Sequence, residues 1–284
     1  MPDYNSLAKL NVLDSESLND VKYYMSRALL PNKNQVGIVE YPYFGLGEEE
    51  NLDKWKYPHF TYKINEYGFR IEDMQYKSDI GAFGCSYTFG QGLPLEMLWV
   101  TLLGQKLNQT IQNFGMPGAS LMTVLDIFSI VTKHISIDKA VILLPAMSRI
   151  QVAKFNNKNE LGLLNCIPGA SGLHNQTFGL DEENLYKHLP EDEIVKQTKN
   201  AIYQAEYIAK QRNIEIFVSS WDNKTYSLLQ KMRLSSMQLI TQWSQSYGWT
   251  IQQEPINDKA RDNRHPGPKH HSNFAEIILP FLSK

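Results

Sequence analysis

Strand–helix alternation from residue 78 onward most constrains the fold of this chain. The strongest strand candidate is AVILL, residues 140–144, a continuous apolar run typical of a parallel strand covered on both faces. Repeated strand–helix units imply a parallel sheet that is flanked by helices and joined by right-handed crossovers. The sequence therefore predicts an α/β fold of three layers, a sandwich of helices around a mostly parallel sheet of five strands.

Hydrophobic periodicity places the individual elements. An upstream helix is predicted within residues 17–30, and alternation predicts a half-buried strand at residues 60–64. The strands of the main sheet are predicted at residues 79–84, 110–114, 139–144, 215–219 and 249–252. The helices between them are predicted near residues 94–107, 119–134, 191–211, 224–246 and 272–283.

The first quarter of the chain lacks this alternation. We expect residues 1–75 to form an N-terminal extension packed on a main domain of residues 76–284. Residues 41–62 are dense in aromatic side chains. They either pack against the main domain or form a sugar-binding platform, since aromatic rings serve both purposes.

Composition excludes several classes of protein. A net charge of −2 offers no polybasic surface, so we expect no nucleic-acid partner. Two cysteines give neither a disulfide framework nor a paired-cysteine metal site. A polar N-terminus without a signal core, and the lack of any stretch of roughly 18 apolar residues, predict a cytoplasmic protein without a membrane span. The oligomeric state is left open.

The segment IGAFGCSYTFGQG, residues 80–92, ends an apolar strand in a turn that presents Cys85 and Ser86 side by side. Ligands of open parallel sheets bind outside the carboxyl ends of the strands, so this position favours function. Ser86 is either a nucleophile or a cap of the following helix. Cys85 is either the nucleophile itself, since thiolates form near helix N-termini, or a buried packing residue.

Two further segments bring residues that suit a serine nucleophile. NFGMPGAS, residues 113–120, follows the second strand, and its glycines allow backbone N–H groups to approach a ligand. DNRHPG, residues 262–267, places Asp262 three residues before His265, ahead of the last predicted helix. A serine, a histidine that takes its proton and an aspartate that orients the histidine form a Ser-His-Asp system.

The segments GCSYTFGQG, NFGMPGAS and DNRHPG, in this order, resemble three conserved blocks of the SGNH hydrolases, also called GDSL-like esterases and lipases. The resemblance covers about residues 60–284 and implies a flavodoxin-like sheet. It implies Ser86 as nucleophile, His265 as base and Asp262 as the acid that orients it. It further implies that the N–H groups of Ser86 and Gly115 form the oxyanion hole.

The chain departs from this family at two places. Cys85 stands where the family usually has aspartate before the nucleophile. The third block normally supplies an asparagine to the oxyanion hole, whereas PAMSR, residues 145–149, has none. Its side-chain donors are Ser148 and Arg149, which neighbour each other at a strand exit and are expected to point in different directions. We expect Ser148 to join the oxyanion hole and Arg149 to bind an anionic group of the substrate.

Several residues near these blocks have less specific interpretations. His270 and His271 could join His265 at a metal, but no acidic partner stands at ligand spacing, so we expect them at the site mouth or in solvent. Trp221 and Asp222 end the fourth strand and are expected at most at the rim of the site. Neither a metal nor a cofactor is expected.

The resemblance implies hydrolysis of a carboxylic ester through an acyl-enzyme. The preferred substrate is a small acyl ester such as an O-acetylated carbohydrate, because no long apolar helix is present to cover a lipid. An O-acyltransferase that uses the same serine is one alternative. A non-catalytic binding protein that keeps the fold is the other.

Overall fold

The computed structural model of the chain describes residues 39–43, 47–65, 67–71, 74–155, 161–166, 182–243 and 258–283. The strands are β1 (Val39–Tyr41), β2 (Tyr62–Ile64), β3 (Lys77–Gly84), β4 (Ile111–Gly115), β5 (Ser136–Leu144), β6 (Ile150–Phe155), β7 (Leu161–Cys166), β8 (Glu215–Ser220) and β9 (Met237–Leu239). The helices are α1 (Ser86–Phe89), α2 (Trp99–Leu107), α3 (Leu121–His134), α4 (Glu182–His188), α5 (Glu191–Arg212), α6 (Asn223–Lys231) and α7 (Pro268–Leu282). Two short 3-10 helices lie at Glu49–Lys54 and Leu95–Met97.

The central sheet has five parallel strands in the order β4-β3-β5-β8-β9. Counted along the chain, this is the order 2-1-3-4-5 of flavodoxin-like sheets. The register pairs Gly84 with Gly115 on one side and with Leu143 on the other. Strands β3, β4 and β5 therefore end level with one another. The predicted fold class is confirmed.

The apolar run of β5 is buried on both faces, as its sequence predicts. Ala140, Ile142 and Leu144 pack into one hydrophobic cluster with side chains of α3 and α5. Val141 and Leu143 pack into the other cluster with side chains of α2 and α7. The helices thus form a layer on each face of the sheet. In the described part of the chain, no helix combines the length and apolarity needed to cross a membrane.

The predicted helix at 224–246 is wrong over residues 232–243, because α6 ends at Lys231. Residues Met237–Leu239 instead form β9, which pairs with β8. The cause is a distant carboxylate, because Glu206 accepts hydrogen bonds from the N–H groups of Ser235 and Ser236 at 2.5 and 2.6 Å. These two N–H groups are then unavailable to an α-helix. The elements predicted at 17–30 and 249–252 lie outside the described residues.

A β-hairpin of β6 and β7 follows β5 directly and was not predicted. Asn165 fastens it to the start of α3, since its Oδ1 atom accepts hydrogen bonds from the Thr123 hydroxyl and from the Ser120 N–H. The Gln151 amide also donates to the Thr123 hydroxyl, at 3.0 Å. The hairpin therefore sits at the carboxyl edge of the sheet, where α3 begins.

The aromatic stretch packs against the main sheet's first helix. The Tyr62 ring stacks on Phe89 of α1 with centroids 5.6 Å apart, and Phe60 meets Tyr62 edge-on at 5.1 Å. The buried Arg70 side chain donates to the carbonyls of Phe89 and Gly90. These contacts favour packing over a sugar platform for the described part of this stretch. The domain boundary after residue 75 stays a prediction.

We expect Phe83→Ala to destabilise the fold by about 3–5 kcal/mol, because it removes a buried aromatic side chain from the core. Phe83 is fully buried and lies against Phe114 and Phe128 with ring centroids 5.0 and 5.3 Å apart. Denaturant unfolding measures the loss. Tyr207→Ala, at an exposed aromatic residue, is the control and is expected to stay within about 0.5 kcal/mol. Equal losses in both variants would contradict the assigned core.

Candidate active site

Ser86 occupies the first helical position after β3. Helix α1 has only four residues, and Cys85 precedes it as the N-cap without a side-chain capping hydrogen bond. Ser86 is buried, and its hydroxyl lies 3.9 Å from the Cys85 sulfur. The interpretation of Ser86 as a helix cap is therefore wrong. Its hydroxyl remains at a tight strand-to-helix turn, the place where a nucleophile would stand.

Asp262 and His265 form a hydrogen-bonded pair in the loop before α7. Asp262 Oδ1 accepts the N–H groups of Arg264 and His265, both at 3.0 Å, which folds the loop around the carboxylate. Asp262 Oδ2 makes a short contact with Nδ1 of the His265 ring. Because Asp262 engages Nδ1, Nε2 is the ring nitrogen that can take a proton.

The environment keeps the Asp262 carboxylate ionised. Burial by itself raises the pKa of Asp262, but the hydrogen bonds and positive charge of His265 outweigh it and lower the pKa below its ordinary value. The side chain of Asp262 is almost fully buried, whereas that of His265 is 20% exposed. The pair thus combines a buried, charged orienting group with an imidazole that a substrate can reach.

His265 lies close to the turn that carries the serine. Its ring meets the ring of Tyr87, the residue after Ser86, edge-on with centroids 5.8 Å apart. Among the described contacts there is no hydrogen bond between His265 and Ser86. The meeting of Ser86, His265 and Asp262 in one triad therefore stays a prediction.

Trp221 forms a wall of the site, whereas the sequence predicted at most a position at the rim. Its indole N–H donates to the Cys85 sulfur at 3.3 Å, and its ring stacks on Tyr87 with centroids 5.1 Å apart. The Arg149 guanidinium carbon lies 4.9 Å from the Trp221 ring centroid, a cation–π contact. In the sequence, the one indication of this role for Trp221 was its position at the end of a predicted strand. Asp222 instead caps α6 by accepting the Thr225 N–H.

The turn after β4 offers a different backbone donor from the one expected. The N–H of Gly115 donates to Asn113 Oδ1 at 2.9 Å, so it is occupied in this structure. A Cβ at Gly115 would lie 2.2 Å from the Phe89 nitrogen, and this close approach to α1 explains the glycine. Gly118 has a φ of +73° with open space beside it, and its N–H makes no hydrogen bond among the described contacts.

Ser148 and Arg149 follow β5 in a turn closed by the hydrogen bond from the Arg149 N–H to the Ala146 carbonyl. Both residues are half-buried. The Arg149 Nη1 atom is buried and has no hydrogen-bond partner among the described residues. Ser148 makes no described contact with Ser86 or Gly115. The structure therefore brings Arg149, through Trp221, to the residues on either side of Ser86, and leaves the role of Ser148 a prediction.

His270 and His271 lie in the core, so the expectation that they line the site mouth or face solvent is wrong. Each is 1% exposed, because this side of α7 packs onto the sheet. His271 Nδ1 accepts the Trp99 N–H at 3.2 Å, and burial lowers the pKa of His271 to about 3. Within the described ranges, no group of three or more His, Cys, Asp or Glu side chains is arranged to hold a metal ion.

No protein-family model and no curated protein match the chain. Among solved structures, the chain is similar to TesA at 12% identity and a TM-score of 0.45, with 72% of this chain and 97% of TesA covered. It is also similar to the psychrotrophic esterase EstA from Pseudoalteromonas sp., at 12% identity and a TM-score of 0.43, with 74% of this chain and 100% of EstA covered. A third similar structure is a member of the lipolytic protein G-D-S-L family from Veillonella parvula. It has 13% identity and a TM-score of 0.41, with 71% of this chain and 96% of that protein covered. Similarities this low establish neither activity nor substrate.

We expect the His271→Asn variant to lose less folding stability than the parent chain when the pH falls. The folded-state pKa of about 3 lies below the ordinary value of 6.5, so the unfolded chain takes up this proton first. The stability that neutral His271 contributes is complete above about pH 6.5 and falls as the pH drops toward 3. Asparagine keeps an acceptor for the Trp99 N–H but does not titrate.

Denaturant midpoints at pH 7 and pH 5 measure this effect. The drop between them is expected to be smaller in His271→Asn than in the parent chain. The exposed His188 provides the control, and His188→Asn is expected to behave like the parent. The same drop in all three proteins would show that His271 is not the titrating group.

Proposed function

We propose that the chain is a serine ester hydrolase in which Ser86, His265 and Asp262 form the catalytic triad. The observation that carries the proposal is the Asp262–His265 pair, whose ring contacts Tyr87 directly beside Ser86. A buried carboxylate that holds one imidazole nitrogen leaves the other to act as a general base. The resemblance of the three sequence blocks to SGNH hydrolases supports the same assignment.

The reaction proceeds through an acyl-enzyme. His265 takes the proton of Ser86 as the hydroxyl attacks the ester carbonyl, and Asp262 stabilises the imidazolium that forms. His265 then gives this proton to the departing alcohol. Water repeats the sequence with His265 as base, which releases the acid and restores Ser86. No cofactor takes part in these steps.

The oxyanion needs hydrogen-bond donors where its charge develops. The Ser86 N–H lies at the start of α1, where helix N–H groups have no partner within the helix. For the second donor we propose Gly118 in place of Gly115, because the N–H of Gly115 is already bound to Asn113. The open space at Gly118 supports this choice. Ser148 is proposed as the side-chain donor that replaces the family's asparagine.

The proposed substrate is a small polar ester such as an O-acetylated carbohydrate. Tyr87 contacts His265 and stacks on Trp221, and both rings are only half-buried. The aromatic surface that they leave exposed suits packing against the apolar side of a sugar ring. Arg149 is proposed to bind an anionic group of the substrate, since its buried Nη1 atom lacks a partner among the described residues.

We expect Ser86→Ala to lower kcat for p-nitrophenyl acetate and acetylated sugars by about 10⁴-fold or more, because it removes the nucleophile. Cys85→Ala is the matched control and is expected to keep most of the activity. A fluorophosphonate probe should label the parent chain and Cys85→Ala but not Ser86→Ala. The reverse pattern would make Cys85 the nucleophile. An unlabelled, inactive parent would indicate a binding protein, and product formed only with an added acceptor alcohol would indicate an acyltransferase.

We expect two neighbouring substitutions to separate kcat from KM. Ser148→Ala should lower kcat by about 10²-fold with little change in KM, because an oxyanion donor acts only in the transition state. Arg149→Ala should chiefly raise KM, and only for esters that carry an anionic group. Steady-state kinetics on a neutral and an anionic acetate ester measure both. Unchanged kinetics in both variants would contradict the assignment of this segment.

A further inference from the structure

A closed ring of buried contacts joins the N-terminal segment to both parts of the proposed triad. Glu48 Oε2 accepts the Arg261 Nε–H at 3.1 Å, and Glu48 Oε1 accepts the Tyr62 hydroxyl at 2.8 Å. The Tyr62 oxygen in turn accepts the Gly92 N–H at 2.6 Å. The Arg261 N–H donates to the Gly92 carbonyl at 2.9 Å, which closes the ring.

The ring holds the two halves of the site at fixed positions. Gly92 lies in the turn that follows α1, the helix that begins with Ser86. Arg261 precedes Asp262 in the chain, so its main chain and that of Asp262 move together. Gly47 also lies against this loop, because a Cβ there would be 3.2 Å from the Asp262 carbonyl oxygen. The N-terminal segment is thus in contact with the loop that carries the acid and the base.

The Glu48–Arg261 pair is completely enclosed. Their side chains are 0% and 1% exposed. Besides Glu48, the guanidinium donates to the carbonyls of Phe60 and Pro42 at 3.1 and 2.6 Å, and its carbon lies 3.9 Å from the Phe60 ring centroid. A buried ion pair adds little net stability over an apolar pair, yet removing one partner strands the other charge. The main effect of this ion pair is therefore to fix the position of the loop that carries Arg261 relative to the N-terminal segment.

We propose that Glu48 is a positioning residue of the active site, which acts through Arg261 to fix Asp262 and His265 relative to Ser86. This inference rests on the proposed triad. It assigns the N-terminal segment 47–64 a function in catalysis, because the segment supplies both Glu48 and Tyr62. Glu48 itself touches no reacting atom in this scheme.

Glu48→Gln tests the proposal, since it removes the charge but keeps the shape. We expect kcat for p-nitrophenyl acetate to fall about 10- to 100-fold with KM unchanged, because small displacements of a catalytic base cost this much. The far-downfield proton NMR signal of the His265–Asp262 hydrogen bond should weaken or move, and His265→Gln assigns that signal. Glu49→Gln, at the exposed neighbouring carboxylate, is the control and should change neither readout.

The NMR signal separates this proposal from the proposed function, because it does not require turnover. An inactive parent whose signal changes in Glu48→Gln would retain the positioning role and overturn the hydrolase. An active parent with kcat and signal unchanged in Glu48→Gln would overturn the positioning role. If Glu48→Gln does not fold, as judged by circular dichroism, Tyr62→Phe decides. Tyr62→Phe removes the hydroxyl that joins Glu48 to Gly92. The kcat and the NMR signal should then change in the direction expected for Glu48→Gln, and no change in them would overturn the proposal.

Discussion

The common direction of β3, β4, β5 and β8 is the constraint on which the site depends. Parallel strands bring all of their carboxyl ends to one edge, and the register of Gly84 with Gly115 and Leu143 makes three of these ends level. Four separate stretches of sequence therefore meet there, each as the first residues after a strand. The loop of Asp262 and His265 leads into α7, and hydrogen bonds of its side chains and main chain hold it in place.

Hydrogen bonds and an ion pair hold that loop at two scales. Locally, Asp262 draws two N–H groups and the imidazole around one carboxylate, which sets the orientation of the ring relative to the loop. Globally, Arg261 ties the loop to Gly92 and to the N-terminal segment. The sulfur of Cys85, a weak acceptor, receives the Trp221 N–H, and this contact joins the residue before Ser86 to the end of β8.

Sequence patterns predicted the elements whose cause is local. The run at 140–144 revealed β5 because burial on both faces requires continuous apolar residues, and short motifs located Ser86, Asp262 and His265. The failures have distant causes. The end of α6 depends on Glu206, and the burial of His271 depends on how α7 meets the sheet. Such contacts leave no periodicity to detect.

The ion pair between Glu48 and Arg261 joins residues 213 positions apart. During synthesis the turn that carries Ser86 emerges long before the loop of Asp262 and His265, and Glu48 can pair with Arg261 only after that late residue has been made. Contacts of such separation form slowly, because the long intervening chain must be ordered first. The arrangement of the candidate site is therefore complete only once residues from both ends of the described chain have met.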